Sequence, residues 1–339
     1  MTTQVVHLAG GQASAGPPVQ VRHAQHFLLM WAAEGWTRLK IFIALALWMG
    51  GFHANLLITI VALFNLRSQW GLCLLLLQMT MAFLPINEES DWGKKLAKWI
   101  CTYAPMHFPM RVVFEDKDAF TPKRSYVVAV EPHSVLPLGI MEFASVLDVM
   151  PFQDKRVLAS SAVYAVPFVR HIWSWMGMAP VGRREFKRLL DQGTTCVLVP
   201  GGVSECLYME RDKEVVFLNK RRGFIRMAIA AGAPLVPVFI FGQRETYHWW
   251  RPQGQWYEQL SKMLKFSPIV FWGIAGSPLP LPKPMLVAVG RPIAVEQSAE
   301  PIPDDVVVAK QSEFIAAMKD LHAKYKAEGG DEHVDFVVK

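Results

Sequence analysis

The apolar positions divide the chain into a long uncharged block and a following region of shorter apolar runs. Ile41–Leu66 contains no charged residue, and a second uncharged run, Trp70–Asn87, follows after Arg67-Ser68-Gln69. A membrane-spanning helix needs about 20 apolar residues, so the first run is long enough and the second is marginal. The two runs predict a two-segment membrane helical hairpin over residues 39–87.

Two arrangements of this hairpin are open. In one, two helices meet at a turn near Arg67. In the other, a re-entrant pair folds at Gly50-Gly51 and His53-Ala54-Asn55, where glycine loosens the helix and polar groups need partners. Two buried helices of a soluble core are a third interpretation, but neither run has the amphipathic pattern of such helices. Basic residues flank both ends of the block, which by the positive-inside tendency places both ends in the cytosol. These residues are Arg38, Lys40, Lys94, Lys95 and Lys98.

Beyond the apolar block the pattern becomes that of an α/β domain, which we assign to residues 88–339. The strand-like runs are Ser125–Val130, Cys196–Val199, Leu235–Phe241 and Leu286–Val289, and the helical runs are Arg184–Asp191, Arg222–Ala231 and Ser312–Lys326. Alternating strands and helices predict a largely parallel sheet with flanking helices, whose functional groups lie at the carboxyl ends of the strands. Residues 1–38 form an N-terminal tail that we expect to be partly disordered and to include a membrane-surface segment.

Composition and charge narrow the class of partner. Apolar residues make up 52% of the chain, and 35 Lys and Arg against 29 Asp and Glu give a net charge of +6. This charge suits an anionic partner, namely a nucleic acid, an anionic membrane face or a phosphorylated co-substrate. Because no nucleic-acid motif is legible, we expect no nucleic acid. The four cysteines form no Cys-x-x-Cys pair, and we predict structural thiols and no metal site.

The first candidate for chemistry is His133, in the segment Glu131-Pro132-His133-Ser134 directly after a predicted strand. Pro132 biases Glu131 toward an extended conformation, so the chain presents His133 at the end of the strand, where a general base is useful. Glu205 follows a second strand and the turn Gly201-Gly202. If the two strands are neighbours, Glu205 can bond one imidazole nitrogen and orient His133, as the Asp of a hydrolytic triad does.

Basic residues at the start of two predicted helices form the second candidate site. Arg221 and Arg222 precede one helix and Arg183 heads another. Cations are unfavourable at the positive end of a helix dipole, so these residues could serve with the dipole to hold an anion such as a phosphate. A solvated basic patch is the alternative.

A near-match to the lipase nucleophile elbow suggests a different enzyme class. Gly202-Val203-Ser204-Glu205-Cys206 has Cys206 where the Gly-x-Ser-x-Gly motif requires glycine. A membrane lipid hydrolase with Ser204 as nucleophile is therefore one possible function, although Cys206 does not fit the motif. A non-catalytic membrane scaffold or lipid carrier would keep the hairpin but would not need His133.

Together these segments resemble the type-2 diacylglycerol acyltransferases and the related monoacylglycerol and wax-ester-forming acyltransferases, over roughly residues 36–327. The Glu131-Pro132-His133-Ser134 segment is similar to the form of the diagnostic motif in the plant and algal branch. The other matching segments are Pro200–Glu205, Arg221–Phe224, Phe241–Gln243 with Glu245 and Tyr247, and Gly290–Ile293. The glycerol-phosphate acyltransferases instead have Asp five residues after the His, where this chain has Leu138.

The resemblance implies an acyl-CoA donor, a diacylglycerol acceptor and a triacylglycerol product, with monoacylglycerol or a fatty alcohol as the alternative acceptor. It implies that His133 is the general base and that Glu205 is its carboxylate partner. Glu131 is the other candidate carboxylate, but we favour Glu205 because Glu131 is too close in sequence, across a rigid proline, to turn back easily onto the imidazole. Ser134, Gly201 and Gly202 would contact the substrate, with the oxyanion near the two glycines, and the basic residues would hold the CoA phosphates. No resident cofactor, metal or acyl-enzyme is required. The enzyme would lie in the membrane bilayer of the endoplasmic reticulum with both termini cytosolic, or at the lipid droplet surface; a homo-oligomer is left open.

Overall fold

The computed structural model describes residues 19–20, 35–152, 154–252, 254–264 and 269–339. Most of the tail predicted over residues 1–38 lies outside these ranges. The strands are β1 Val19–Gln20, β2 Met110–Phe114, β3 Val127–Glu131, β4 Lys155–Ala159, β5 Met178–Pro180, β6 Thr195–Leu198, β7 Lys213–Val216, β8 Leu235–Phe241, β9 His248–Trp250, β10 Val270–Trp272, β11 Met285–Val289 and β12 Asp335–Val338.

The α-helices are α1 Gly35–Leu45, α2 Gly51–Phe64, α3 Gln69–Phe83, α4 Asp91–Tyr103, α5 Val169–Trp175, α6 Arg183–Asp191, α7 Gly223–Ala231, α8 Gln255–Leu264 and α9 Asp304–Tyr325. A π-helical turn, Ala46–Gly50, joins α1 to α2. The 3-10 helices that matter for the site are Leu138–Phe143, Gly202–Leu207 and Gln243–Thr246.

The main sheet confirms the predicted α/β class. Its strand order is β1-β2-β11-β8-β3-β6-β4-β5. Strands β8, β3, β6, β4 and β5 run in one direction, while β11 is antiparallel to β8 and parallel to β2. Because β3 lies between β6 and β8, the segments that follow these three strands leave the sheet at one rim.

Both faces of the sheet are buried, as its near-continuous apolar strands require. In β3, Val128 and Val130 enter one core cluster and Val127 and Ala129 enter the other. Helices α1 and α4 pack into the first cluster, through residues such as Leu45 and Ile100. Helices α6, α7 and α9 cover the second face.

The apolar block forms a helical hairpin that turns at residues 65–68, near Arg67. The helix does not reverse at Gly50-Gly51 but continues through the π-helical turn into α2. Gly35–Phe64 is long and apolar enough to cross a membrane by length and composition, and about a third of its most apolar stretch is buried. Beyond Asn55, most of α2 and α3 exposes large apolar side chains, up to 87% for Phe64.

Asn55, Thr59 and Gln78 form a hydrogen-bonded group inside the hairpin. Gln78 Nε2 donates to the Asn55 carbonyl (3.1 Å), and Thr59 Oγ1 donates to Gln78 Oε1 (3.1 Å). Asn55 Nδ2 also reaches the Pro167 carbonyl (2.9 Å), which ties the hairpin to the α/β domain. In an apolar environment such pairing removes most of the cost of burying amide and hydroxyl groups. The second helix ends at Phe83, earlier than the uncharged run, because Pro85 disfavours helical geometry at Leu84.

Candidate active site

The candidate site lies where β3 and β6 end. The two strands are neighbours, as the contact between Glu205 and His133 requires, since Val127, Val128 and Ala129 pair in parallel with Cys196, Val197 and Leu198. Glu131 is the last residue of β3, and the Glu131–Pro132 peptide is cis. Glu205 lies in the 3-10 helix Gly202–Leu207 that follows β6. The segments that carry His133 and Glu205 therefore meet at one rim.

The imidazole of His133 is held by its own chain. Nδ1 lies 3.0 Å from the carbonyl oxygen of Ser134. A carbonyl oxygen can only accept, so Nδ1 carries the proton and Nε2 carries the lone pair. Ser134 reaches this position with φ = +52°, in the left-handed region, which costs a non-glycine residue energy. Nε2 has no hydrogen-bond partner within the described residues.

Burial lowers the pKa of His133 below its usual value, and the hydrogen bond to Ser134 partly opposes this. The imidazole is therefore neutral at neutral pH. A neutral ring with a proton on Nδ1 and a free lone pair on Nε2 is the protonation state that a general base requires.

Glu205 lies next to His133 but not in the predicted contact. Its Oε2 accepts the backbone N–H of His133 (2.7 Å), and its Oε1 accepts the backbone N–H of Phe217 (2.7 Å). The prediction that Glu205 bonds the imidazole is wrong. Its two carboxylate oxygens accept the N–H groups of His133 and Phe217, and the imidazole Nδ1 donates to the Ser134 carbonyl instead. Glu205 holds the backbone that carries the histidine.

Glu131 and Glu205 form a buried carboxyl pair, with exposed fractions of 0% and 1%. Burial, and then the neighbouring Glu205 carboxyl, raise the pKa of Glu131 well above its usual range. Burial also raises the pKa of Glu205, while hydrogen bonds from Glu131, His133 and Phe217 and the charge of Arg221 oppose the rise. Both oxygens of Glu205 accept backbone N–H groups, whereas Oε2 of Glu131 has no hydrogen-bond partner in the described structure, so we assign the proton of the pair to Glu131. Glu205 is the ionised member.

The two glycines of the turn have different roles. The N–H of Gly201 donates to Glu131 Oε1 (3.1 Å), so this group does not face a substrate oxyanion. A Cβ at Gly201 would lie 1.8 Å from Glu205 Oε1, which explains why only glycine fits beside the carboxyl pair. Gly202 has φ = +55°, a conformation that suits glycine, and its surroundings are open. An oxyanion contact at Gly202 stays a prediction.

The structure separates the predicted basic residues. Arg221 donates to Ser204 Oγ (2.6 Å) and to the Gly201 carbonyl (3.2 Å), next to the carboxyl pair. Arg222 bonds Gln311 (3.0 Å), and the largely exposed Arg183 pairs with Glu300 (2.6 Å). Their role in binding phosphate stays a prediction.

Ser204 and Cys206 lack the surroundings of nucleophiles. The Ser204 hydroxyl bonds the guanidinium of Arg221, a group that cannot accept a proton. Cys206 Sγ lies 3.7 Å from His133 Nδ1, the protonated nitrogen, and donates to the Ser134 carbonyl (3.4 Å). Burial raises the pKa of the Cys206 thiol to about 12, so it remains a neutral thiol. The hydrolase alternative therefore lacks an activated serine.

Sequence reasoning missed the contacts of Cys206 and Phe217 with this site, and it noted Gln243 only as part of a matching segment. Gln243 is buried, and its amide bonds two backbone groups of the histidine segment, the N–H of Gly139 and the carbonyl of Pro132. One signal could have found it, because Gln243 follows β8 and β8 is the other neighbour of β3.

Comparison with known proteins places these features in a family. A model of the family described as diacylglycerol acyltransferase matches residues 61–339. The chain is 29% identical over 278 residues to diacylglycerol O-acyltransferase 2 of Danio rerio, covering 74% of each chain. It is 27% identical to human 2-acylglycerol O-acyltransferase 3, over 72% of this chain and 76% of the relative. It is also 27% identical to mouse acyl-CoA wax alcohol acyltransferase 2, over 87% and 94%.

Among solved structures, the chain is similar to the 1-acyl-sn-glycerophosphate acyltransferase of Thermotoga maritima. The TM-score is 0.40 at 16% identity, and the match covers 80% of this chain and 97% of that chain.

Proposed function

Because the chain belongs to the diacylglycerol acyltransferase family, we propose that it transfers an acyl group from acyl-CoA to the free hydroxyl of diacylglycerol. His133 is the general base of the proposed reaction. The observation that carries the proposal is the neutral imidazole, with its Nδ1 proton held by Ser134 and its Nε2 lone pair free for substrate. Family membership supports acyl transfer, and the choice of diacylglycerol is the finer part of the proposal.

The proposed reaction proceeds by direct transfer. Nε2 of His133 takes the hydroxyl proton as the acceptor oxygen attacks the thioester carbonyl. The C–S bond then breaks, and the imidazolium returns the proton to the departing CoA sulfur, so no proton is gained or lost overall. Ionised Glu205 accepts the backbone N–H of His133 and so fixes the loop that carries the base, while the neutral Glu131 carboxyl lies beside it.

The substrate contacts of the proposal use the remaining site residues. Arg183, Arg221 and Arg222 are assigned to the CoA phosphates, and Ser134 and Gly202 to the reacting ester. Ser134 Oγ is buried and has no hydrogen-bond partner in the described chain, which supports a role in contacting substrate. Arg222→Ala should raise the KM for acyl-CoA and spare that for diacylglycerol, whereas Arg111→Ala, at the far side of the sheet, should change neither. The opposite pattern would remove Arg222 from the donor site.

We also propose that the exposed apolar surface of α2 and α3 inserts into the bilayer and that both lipids reach the site from there. Placement in the endoplasmic reticulum membrane with cytosolic termini, or at the lipid droplet surface, is part of this proposal. The alternative acceptors, monoacylglycerol and a fatty alcohol, are supported by the names of two relatives.

An acceptor competition tests the function. The full-length chain is expressed in a cell lacking neutral-lipid synthesis, and its membranes receive labelled acyl-CoA with equal amounts of diacylglycerol, monoacylglycerol and fatty alcohol. We expect labelled triacylglycerol to dominate. Dominant wax ester, or dominant diacylglycerol formed from monoacylglycerol, would contradict the proposed acceptor, and release of free fatty acid alone would favour a hydrolase.

A further inference from the structure

The segment that carries His133 lies outside the sheet, and side chains rather than backbone groups hold it to the rest of the described fold. Within the described residues, the backbone N–H and C=O groups of Pro132–Pro137 form no hydrogen bond to the backbone of a helix or strand, apart from the 3-10 helix Leu138–Phe143 that directly follows. A loop outside a sheet ladder keeps a fixed geometry only if side chains satisfy its backbone groups. Glu205 provides one such tie, at the N–H of His133.

Gln243 provides two more ties from a single side chain. Its Nε2 donates to the Pro132 carbonyl (2.7 Å), and its Oε1 accepts the N–H of Gly139 (2.9 Å). The amide therefore bonds both ends of the segment Pro132–Gly139, which contains His133 and Ser134. The side chain is 1% exposed, so both bonds are shielded from water.

The fold fixes Gln243 itself. It begins the 3-10 helix that follows β8, and β8 pairs in parallel with β3. The preceding Gly242 has φ = +76°, and a Cβ there would lie 2.1 Å from the Pro284 carbonyl oxygen. On the other side, a Cβ at Gly139 would lie 2.8 Å from Ile240, so glycine lets the loop approach β8 closely. The turn and the close approach place the amide between its two partners.

We infer that Gln243 is a positioning residue for catalysis: it holds the Pro132–Gly139 segment so that the His133 imidazole points at the acceptor hydroxyl. The inference rests on the proposed function, since it assigns His133 the role of base. Gln243 acts through the peptide of Pro132, whose carbonyl its amide holds. Misplacing a catalytic group by about 1 Å costs on the order of 100-fold in rate, so two bonds next to the base are sufficient to control activity.

Two substitutions separate this role from simple packing. In Gln243→Leu both bonds are lost, and we expect kcat to fall roughly 100-fold with little change in the KM for acyl-CoA. In Gln243→Glu the protonated carboxyl can donate to Pro132 and accept from Gly139, whereas the ionised form faces the Pro132 carbonyl with negative charge. Burial favours the protonated form. We therefore expect kcat of this variant, relative to the wild type, to be near normal at low pH and to fall as the pH rises.

The experiment measures kcat and KM against pH for the full-length wild type, both variants and the control Gln297→Leu. The exposed amide of Gln297 donates to the Ala230 carbonyl, away from the histidine segment. His133→Ala is assayed in parallel. If His133→Ala is active, His133 is not the base, and both the proposed function and the inference that rests on it are refuted. If His133→Ala is inactive but both Gln243 variants follow the wild-type kcat profile, the positioning role is refuted. If Gln243→Leu does not fold, the pH dependence of Gln243→Glu decides.

Discussion

Replacing Glu205 by glutamine is the sharpest perturbation that the carboxyl pair offers. The carboxylate of Glu205 accepts two backbone N–H groups, those of His133 and Phe217, at 2.7 Å each. A glutamine has one acceptor oxygen and one NH2 group, so it can serve one of these donors but faces the other with a donor of its own.

The size of the effect follows from the lost bond. A hydrogen bond to a charged group contributes about 1.5–3 kcal/mol, and an unsatisfied buried N–H costs a similar amount. Since each 1.4 kcal/mol corresponds to about a factor of ten in rate, a loss that falls on the transition state lowers kcat by roughly 10- to 100-fold. The substrate KM values should change little, because Glu205 is 1% exposed and lies behind the histidine loop.

The pH profile distinguishes the observed contact from the one predicted from sequence. Because Glu205 bonds the backbone rather than the ring, its removal should lower the plateau of kcat and leave the midpoint of the acidic limb in place. A carboxylate bonded to the imidazole would raise the His pKa by about 1–3 units, so its removal would move the limb to lower pH. A shift of one unit or more in Glu205→Gln would refute our reading of the contact.

Glu131→Gln is the matched control for this experiment. Its amide oxygen can still accept the Gly201 N–H, and the amide is neutral, as the protonated carboxyl is, so no second charge is placed beside Glu205. We expect kcat within a few-fold of the wild type. A loss as large as that of Glu205→Gln would show that Glu131 must be ionised, contrary to our assignment of the proton.

Three further predictions concern the same rim. Since burial lowers the pKa of His133 below 6.5, the base is lost only as the pH falls through that lower value, and the acidic limb of kcat/KM should have its midpoint below pH 6.5; a midpoint above it would contradict the assignment. Ser204→Ala should keep acyl-transfer activity within a few-fold, because the Ser204 hydroxyl accepts a hydrogen bond from Arg221 and bonds no base among the described residues, and an inactive but folded variant would revive the hydrolase alternative. Gly201→Ala would place a Cβ 1.8 Å from Glu205 and should lower the free energy of unfolding by about 1–3 kcal/mol, whereas Gly182→Ala, in open space, should not; equal thermal midpoints would contradict this.

Much of the fold could be predicted because its strands are short apolar runs that end at glycine or proline. Leu235–Phe241 has the predicted bounds, and the ends of β3, β6 and β11 differ by at most two residues from the prediction. The missed strands lack that signal: β4 begins with Lys155 and Arg156, and β5 has only three residues. Helix α9 begins at Asp304, well before the predicted Ser312, and its two acidic residues in the first turn complement the helix dipole.

The residues of the site could be predicted, but their contacts could not. His133 and Glu205 meet because β3 and β6 are neighbours in the sheet. The sequence does not give the order of the strands, so this contact could only be predicted on the condition that the two strands are adjacent. The Glu205 carboxylate reaches the backbone of His133 rather than its ring for two reasons: the left-handed backbone conformation of Ser134 and the position of the 3-10 helix Gly202–Leu207. Neither feature has a sequence signature. The protonation of Glu131 likewise follows from complete burial beside a second carboxyl, a property of the assembled fold.

The central claim, that His133 is the base for acyl transfer, is tested most directly by one substitution in the full-length protein. Membranes that contain wild type or His133→Ala at matched abundance receive labelled acyl-CoA and diacylglycerol, and the initial rate of triacylglycerol formation is measured. We predict a loss on the order of 100- to 10,000-fold in kcat, the usual contribution of a positioned general base. A His133→Ala rate within a few-fold of the wild type would contradict the account.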